Sequence, residues 1–358
     1  MEAGDLEGAD RALSSGIERA EEEGDLRHAT RATLKRLGVR DLTGQATGAE
    51  ISAEAERAIP VLEKLGDDAG LASAWLLLAE TGSSVADEEQ AAERALVHAR
   101  LAGRPRDEED ALFTQLSAAL YGERPVAEVT ALCEQLLAEA HGPLAEVGTL
   151  EILAALKVRS GEVSDGRELY VNADRLYREL GMKHREAVNW QCWGRSELAT
   201  GDYEMAETAF RKAILQFELM GDRLYQGATL AYLAHVLCGQ GRHDEATTAL
   251  DQSEELLGSH GSSLGPSARA RVLAAHGETE AALELAHQGL AVTVGQGWPE
   301  GRAQVLVSLA EVHRRAGRAS EEAVALREAF DLCERKGIRP AADRVRARID
   351  ELEAVSAT

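Results

Sequence analysis

Glycine recurs along this chain at an almost fixed interval, and that interval limits the fold more than any other feature. Gly24, Gly66, Gly103, Gly142, Gly181, Gly221, Gly261, Gly297 and Gly337 follow apolar, helix-patterned stretches and are spaced 36 to 42 residues apart. A glycine just past a helix supplies the left-handed residue with which helices commonly end. A period near 39 sustained over eight intervals predicts a stack of helix pairs, in which each pair buries its apolar face against the next.

The clearest unit is 187–221, AVNWQCWGRSELATGDYEMAETAFRKAILQFELMG. Trp190, Trp193 and Gly194 keep one helix face apolar while letting a neighbouring backbone approach. Gly201-Asp202 makes the turn. Ala206, Phe210 and Ala213 recur at helical spacing, small where helices cross and large where a gap needs filling. This order resembles the tetratricopeptide repeat (TPR, MalT-like), with Trp193 replacing the family's Leu. The resemblance implies an all-α fold, a right-handed α–α superhelix of about eight helix pairs with a C-terminal capping helix.

Taken in order, the chain divides into an array over 1–338 and a capping helix and tail over 339–358. The first 24 residues align with the turn and second helix of a repeat, Gly4-Asp5-Leu6 matching Gly201-Asp202-Tyr203. No first helix precedes them, so the expectation is a chain detached from a longer protein, or one whose Leu6, Leu13 and Ile17 face is covered by a second copy in a homodimer. A polar loop is expected near Gly38 to Gly48, and Pro125 starts the second helix of its pair. The Gly/Ser-rich segment 258–265 is the candidate for a bend.

Composition narrows the function classes. A net charge of -23 argues against binding of a nucleic-acid backbone, which requires clustered cations. Cys133, Cys192, Cys238 and Cys333 are far apart and form no C-x-x-C pair, so they read as small core residues in a reducing, cytoplasmic setting. No apolar run reaches the ~20 residues needed to cross a bilayer. Gly261-Ser262-Ser263-Leu264-Gly265, beside His260, fits a nucleophile elbow in letters, but that device needs a preceding strand and none is expected. The ten histidines offer no H-x-x-x-H or H-E-x-x-H spacing. No catalytic, metal or cofactor site is therefore expected.

A recognition surface can be placed through the resemblance. First helices line the concave face of such a stack, which puts Gln191, Arg195, His235, Arg271, Glu311 and Arg314 on it. Its middle position reads Glu80, Leu116, Ala155, Arg195, His235, Arg271, Glu311 along the array. Three successive basic or titratable groups in an acidic protein would suit a protein or peptide partner carrying carboxylates. The end EAFDLCERKGIRPAADRVRARIDEL, 328–352, is similar to the tail of bacterial cyclase–ATPase–TPR regulators. This implies a non-enzymatic scaffold, the regulatory tail of a signalling protein. The alternative is the small-molecule- or nucleic-acid-responsive sensor of a transcription regulator.

Overall fold

The structure, a computed structural model, describes residues 6–138, 143–258 and 264–356. Its first nine helices are α1 (Leu6–Glu22), α2 (Leu26–Leu42), α3 (Gly48–Leu65), α4 (Asp68–Glu80), α5 (Val85–Leu101), α6 (Pro105–Tyr121), α7 (Val126–Ala138), α8 (Pro143–Arg159) and α9 (Val163–Glu179). There follow α10 (Lys183–Thr200), α11 (Tyr203–Met220), α12 (Arg223–Gly239), α13 (His243–Leu257), α14 (Gly265–Ala275), α15 (Thr279–Val292), α16 (Pro299–Arg315), α17 (Ala319–Lys336) and α18 (Arg339–Ser356). No strand occurs among the described residues. Eight pairs, α2–α3 to α16–α17, stand between α1 and α18, giving the all-α TPR-like superhelix.

A short punctuation in the sequence separates the helices. At Gly66-Asp67, Gly201-Asp202 and Gly221-Asp222 the glycine takes a positive φ of 61°, 86° and 72°. Each aspartate carboxylate then accepts the backbone N–H three residues on, from Gly70, Met205 and Tyr225. Such a cap is worth ~1 kcal/mol. Of the period-marking glycines, Gly24, Gly66, Gly103, Gly181, Gly221, Gly297 and Gly337 have positive φ. Gly142 and Gly261 lie outside the described residues, as do Met1 to Asp5 and most of the segment 258–265 expected to bend.

The loop expected at Gly38 to Gly48 is shorter. α2 runs through Gly38 to Leu42, with Leu77 of α4 at an ordinary contact distance from Gly38, and α3 begins at Gly48. A reciprocal cap, with the Thr47 hydroxyl accepting the Glu50 N–H and Glu50 accepting the Thr47 N–H, fixes that start.

The central unit sets the packing rule. A Cβ at Gly194 would lie 2.6 Å from Phe210 Cε1, so α10 and α11 approach as closely as glycine permits. Trp193 stacks between Tyr170 (5.5 Å) and Trp190 (4.8 Å), and its indole N–H reaches Glu197 at 2.9 Å. The wider ring at the family's Leu position is accommodated by filling space between repeats. All four cysteines are buried free thiols, and burial pushes Cys133, Cys192 and Cys333 up to about 12.

The even-numbered helices pack on one another in sequence and form the inner layer, the odd-numbered ones the outer. The superhelix then closes on itself. The Val85 N–H donates to Gln296 O (2.9 Å), joining the α4–α5 turn to the α15–α16 turn. Arg159, at the end of α8, pairs with Glu300 of α16 at 2.7 Å. Lys336, at the end of α17, donates to Ala119 O (3.0 Å) and Arg124 O. From α18, Arg344 donates to Leu198 O and to the Tyr203 hydroxyl, both at 2.9 Å. Thus α18 covers the last apolar face, burying Ala342, Val345 and Ile349, and also reaches α8 and α10. A compact chain of 38.4 kDa would expose about 14,000 Å², against 16239 Å² here, a modest excess in keeping with a coil wound around a hollow.

Candidate functional site

Closure turns part of the concave face into a half-open cavity of about 290 Å³. Its walls come from α10, α12, α14 and α16 of the inner layer, with α17 and α18 as the seal. Of the six candidate positions, Arg195, Arg271, Glu311 and Arg314 line it. Gln191 and His235 do not. Gln191 is buried and donates to the Thr229 hydroxyl at 2.7 Å. His235 is fully buried, its Nε2 3.0 Å from Leu264 O and its Nδ1 3.4 Å from the Gln304 amide. Burial, and then the nearby Arg271 charge, push His235 down to about 3, so it is neutral near pH 7. In the amino-terminal half, Leu116 and Ala155 are core residues, whereas Glu80 remains accessible to solvent. The strip is thus continuous in register but not in exposure.

Five arginines and three glutamates line the cavity, a positive surplus inside a protein of net charge -23. Each glutamate already has a partner: Glu300 with Arg159 (2.7 Å), Glu311 with Arg271 (2.6 Å) and Glu322 with Arg348 (2.8 Å). The arginines hold these carboxyls down: Glu300 and Glu311 stay below the usual carboxylate range even though burial alone would raise them. Arg344 is occupied by the end of α10. Arg314 is half exposed and lies 3.8 Å from Glu311.

Arg195 is different. Its guanidinium lies 3.8 Å from the Tyr121 ring centroid, 4.9 Å from Tyr232 and 5.5 Å from Trp298. Among the described residues it makes no hydrogen bond and no ion pair with another. Cation–π contacts contribute about 0.5–2 kcal/mol, whereas removing a charged group from water costs several kcal/mol. Arg195 is only partly buried, so much of that cost is not incurred and its guanidinium stays open to the cavity. Two further donors nearby are also unmet: the Trp298 indole N–H and the Arg159 Nε–H are buried without an acceptor. Neither of those two atoms has surface on the cavity, whereas Arg195 lines it, and its N–H groups need an acceptor rather than another donor.

Sequence reasoning reached Arg195 but missed Tyr121, Arg159, Trp298, Glu300 and Arg344. These come from turns and helix ends that meet only when the superhelix closes. A wider depression of about 460 Å³ between α1, α2 and α3 is lined by alanine, threonine and paired or solvated charges, with no unmet buried group. Among the described residues no cluster of three metal-ligating side chains occurs, and no helix is long and apolar enough to cross a membrane.

The tetratricopeptide repeat family matches residues 185–259, which hold α11 to α13 and all but the first two residues of α10. No curated protein matches the chain. Among solved structures, a Rap protein complexed with Competence and Sporulation Factor is similar over 99% of this chain and 98% of its own, at 12% identity and a TM-score of 0.52. BtubC from P. vanneervenii is 17% identical over 64% of this chain and 92% of its own, with a TM-score of 0.42. A tetratricopeptide repeat protein from Parabacteroides merdae is 13% identical over 85% and 99%, with a TM-score of 0.44. The family match places tetratricopeptide repeats at 185–259, and the likeness to the Rap protein over nearly the whole chain shows a shared helical-repeat fold.

Proposed function

We propose that the chain is a non-catalytic scaffold that binds an acidic protein or peptide partner on the concave side of its superhelix, as the regulatory part of a larger bacterial signalling protein. The observation that carries this reading is Arg195, a guanidinium with no carboxylate of its own facing a cavity with surplus positive charge. The Rap protein of the same fold, solved with Competence and Sporulation Factor, supports the use of such a superhelix for binding a factor. Stacked helices are ordered in advance, so a partner loses entropy on binding while the scaffold loses little. In this reading 1–338 is the binding array and 339–358 its seal.

The test is an array of acidic and charge-scrambled peptides probed with wild-type protein and with Arg195→Gln. Selective binding of acidic sequences, weakened at least tenfold in the variant, is expected. Binding indifferent to charge, or unchanged in Arg195→Gln, removes the reading. Self-association through α1, where Leu6, Leu13 and Ile17 remain half-buried, is the competing use of the scaffold. Light scattering on wild type and on Leu6→Glu/Leu13→Glu separates the two.

A further inference from the structure

We infer that the cavity is a binding site for a small organic carboxylate bearing a flat apolar group. The inference rests on the same cavity as the proposed function but not on the partner being a protein.

Three features specify the ligand. The first is charge. With Glu300, Glu311 and Glu322 each held by an arginine and Arg344 hydrogen-bonded to the end of α10, Arg195 is left as the guanidinium with no hydrogen-bond or ion-pair partner among the described residues, which calls for an anionic group. The second is geometry. Tyr121, at 3.8 Å from the guanidinium carbon, packs against it and leaves the N–H edge as the part still open to a ligand. That edge is a rigid fork which a carboxylate matches with two parallel hydrogen bonds. The third is the rest of the wall. Tyr232, Trp298, Leu264, Val307 and Leu326 give an apolar and aromatic lining against which a ring can lie. At about 290 Å³ the space is at the low end of cavities that hold small organic molecules.

The position of α18 adds a consequence. Ala341 and Val345 form part of the cavity wall, and Arg344 ties the same helix to the end of α10. A ligand seated on Arg195 therefore contacts the seal as well as the repeats, and its binding should tighten α18 against α10. Mass action makes any ligand of the closed form favour closure.

The experiment is isothermal titration of the full chain with phenylacetate, with phenylacetamide as the neutral isostere, with inorganic phosphate, and with one short peptide ending in Phe made with a free or an amidated C-terminus. The expected result is binding of phenylacetate or of the free-acid peptide, at least tenfold weaker for the matching amide. Arg195→Gln should reduce the affinity at least tenfold, and Arg195→Lys, which keeps the charge but loses the fork, by less. Circular dichroism on each variant establishes that it is folded, and Arg195→Lys carries the test if Arg195→Gln is not. A free-acid peptide preferred over phenylacetate identifies a chain terminus as the natural source; the reverse preference identifies a free metabolite. Equal affinity for acid and amide overturns the inference, as does phosphate binding more tightly than either carboxylate. If the acidic peptide array binds while no carboxylate probe does, this inference fails and the scaffold reading stands. If carboxylates bind and the array does not, the scaffold reading fails and the site stands.

Discussion

The Arg159–Glu300 pair offers a quantitative test of closure, since its members are 141 residues apart and stand on α8 and α16. Arg159 is 1% exposed and Glu300 17%, with Nη2 and Oε2 at 2.7 Å. At the effective dielectric of such sites, two unit charges ~4 Å apart attract by about 4 kcal/mol. Removing one partner strands the other charge, at about 3–5 kcal/mol. Arg159→Met and Glu300→Met should therefore each destabilise by about that amount. The double variant strands neither member of the pair and should cost less than the sum, leaving a coupling of at least about 2 kcal/mol. Urea unfolding followed by circular dichroism, with the midpoint and slope fitted separately, measures all three. Glu300 also lies near Arg195, so its single variant should be the costlier. Costs below about 1 kcal/mol in both single variants, or additivity within ~0.5 kcal/mol, would refute the reasoning, because they would mean that α8 and α16 do not meet.

Other consequences are simpler. Glu151 is fully buried, takes the Tyr177 hydroxyl at 2.8 Å, and is pushed up to about 7 by burial. Its folded pKa lies above the unfolded one, so its stabilisation is complete below ~4.5 and is lost as pH rises through about 7. Wild-type melting temperature should accordingly fall relative to that of Glu151→Gln between about pH 4.5 and 7 and run parallel to it above; curves parallel throughout would contradict the assignment. Gly194→Ala forces a methyl against the Phe210 ring and should destabilise by about 1–3 kcal/mol, whereas Gly16→Ala, which meets nothing within 4 Å, should be neutral or slightly stabilising in the same urea assay.

The local part of the fold was legible because it is written in local rules. Glycine at a left-handed position, aspartate as the next residue and Ala/Phe spacing on the following helix are constraints within one repeat, and Gly201-Asp202 through Phe210 carries all of them. Gly38 reads as punctuation by the same rule, yet it lies inside α2, which continues to Leu42. Closure followed no such rule. Lys336 and Arg344 read as ordinary charges near helix ends, and nothing within their own repeats says that they satisfy carbonyls 217 and 146 residues away. The candidate site was legible to the same depth. Register placed Arg195 and Arg271 on the inner face, but whether such a residue faces water, a helix or a cavity depends on the curvature of the whole stack. Hence His235 and Gln191, chosen on equal grounds, are engaged in contacts between helices.

The central claim is that the carboxy-terminal helices close the superhelix and seal the cavity, and a cross-link tests it most directly. A Cβ at Gly337 would lie 3.5 Å from Val126 Cβ, within the range a disulfide spans. Cys at Gly337 carries the strain of a left-handed position (φ 86°), but the folded Val126→Cys/Gly337→Cys variant should still form an intramolecular disulfide under mild oxidation, shifting mobility on a non-reducing gel, while each single variant does not. Two thiols that stay free and reactive in a folded double variant would contradict the account.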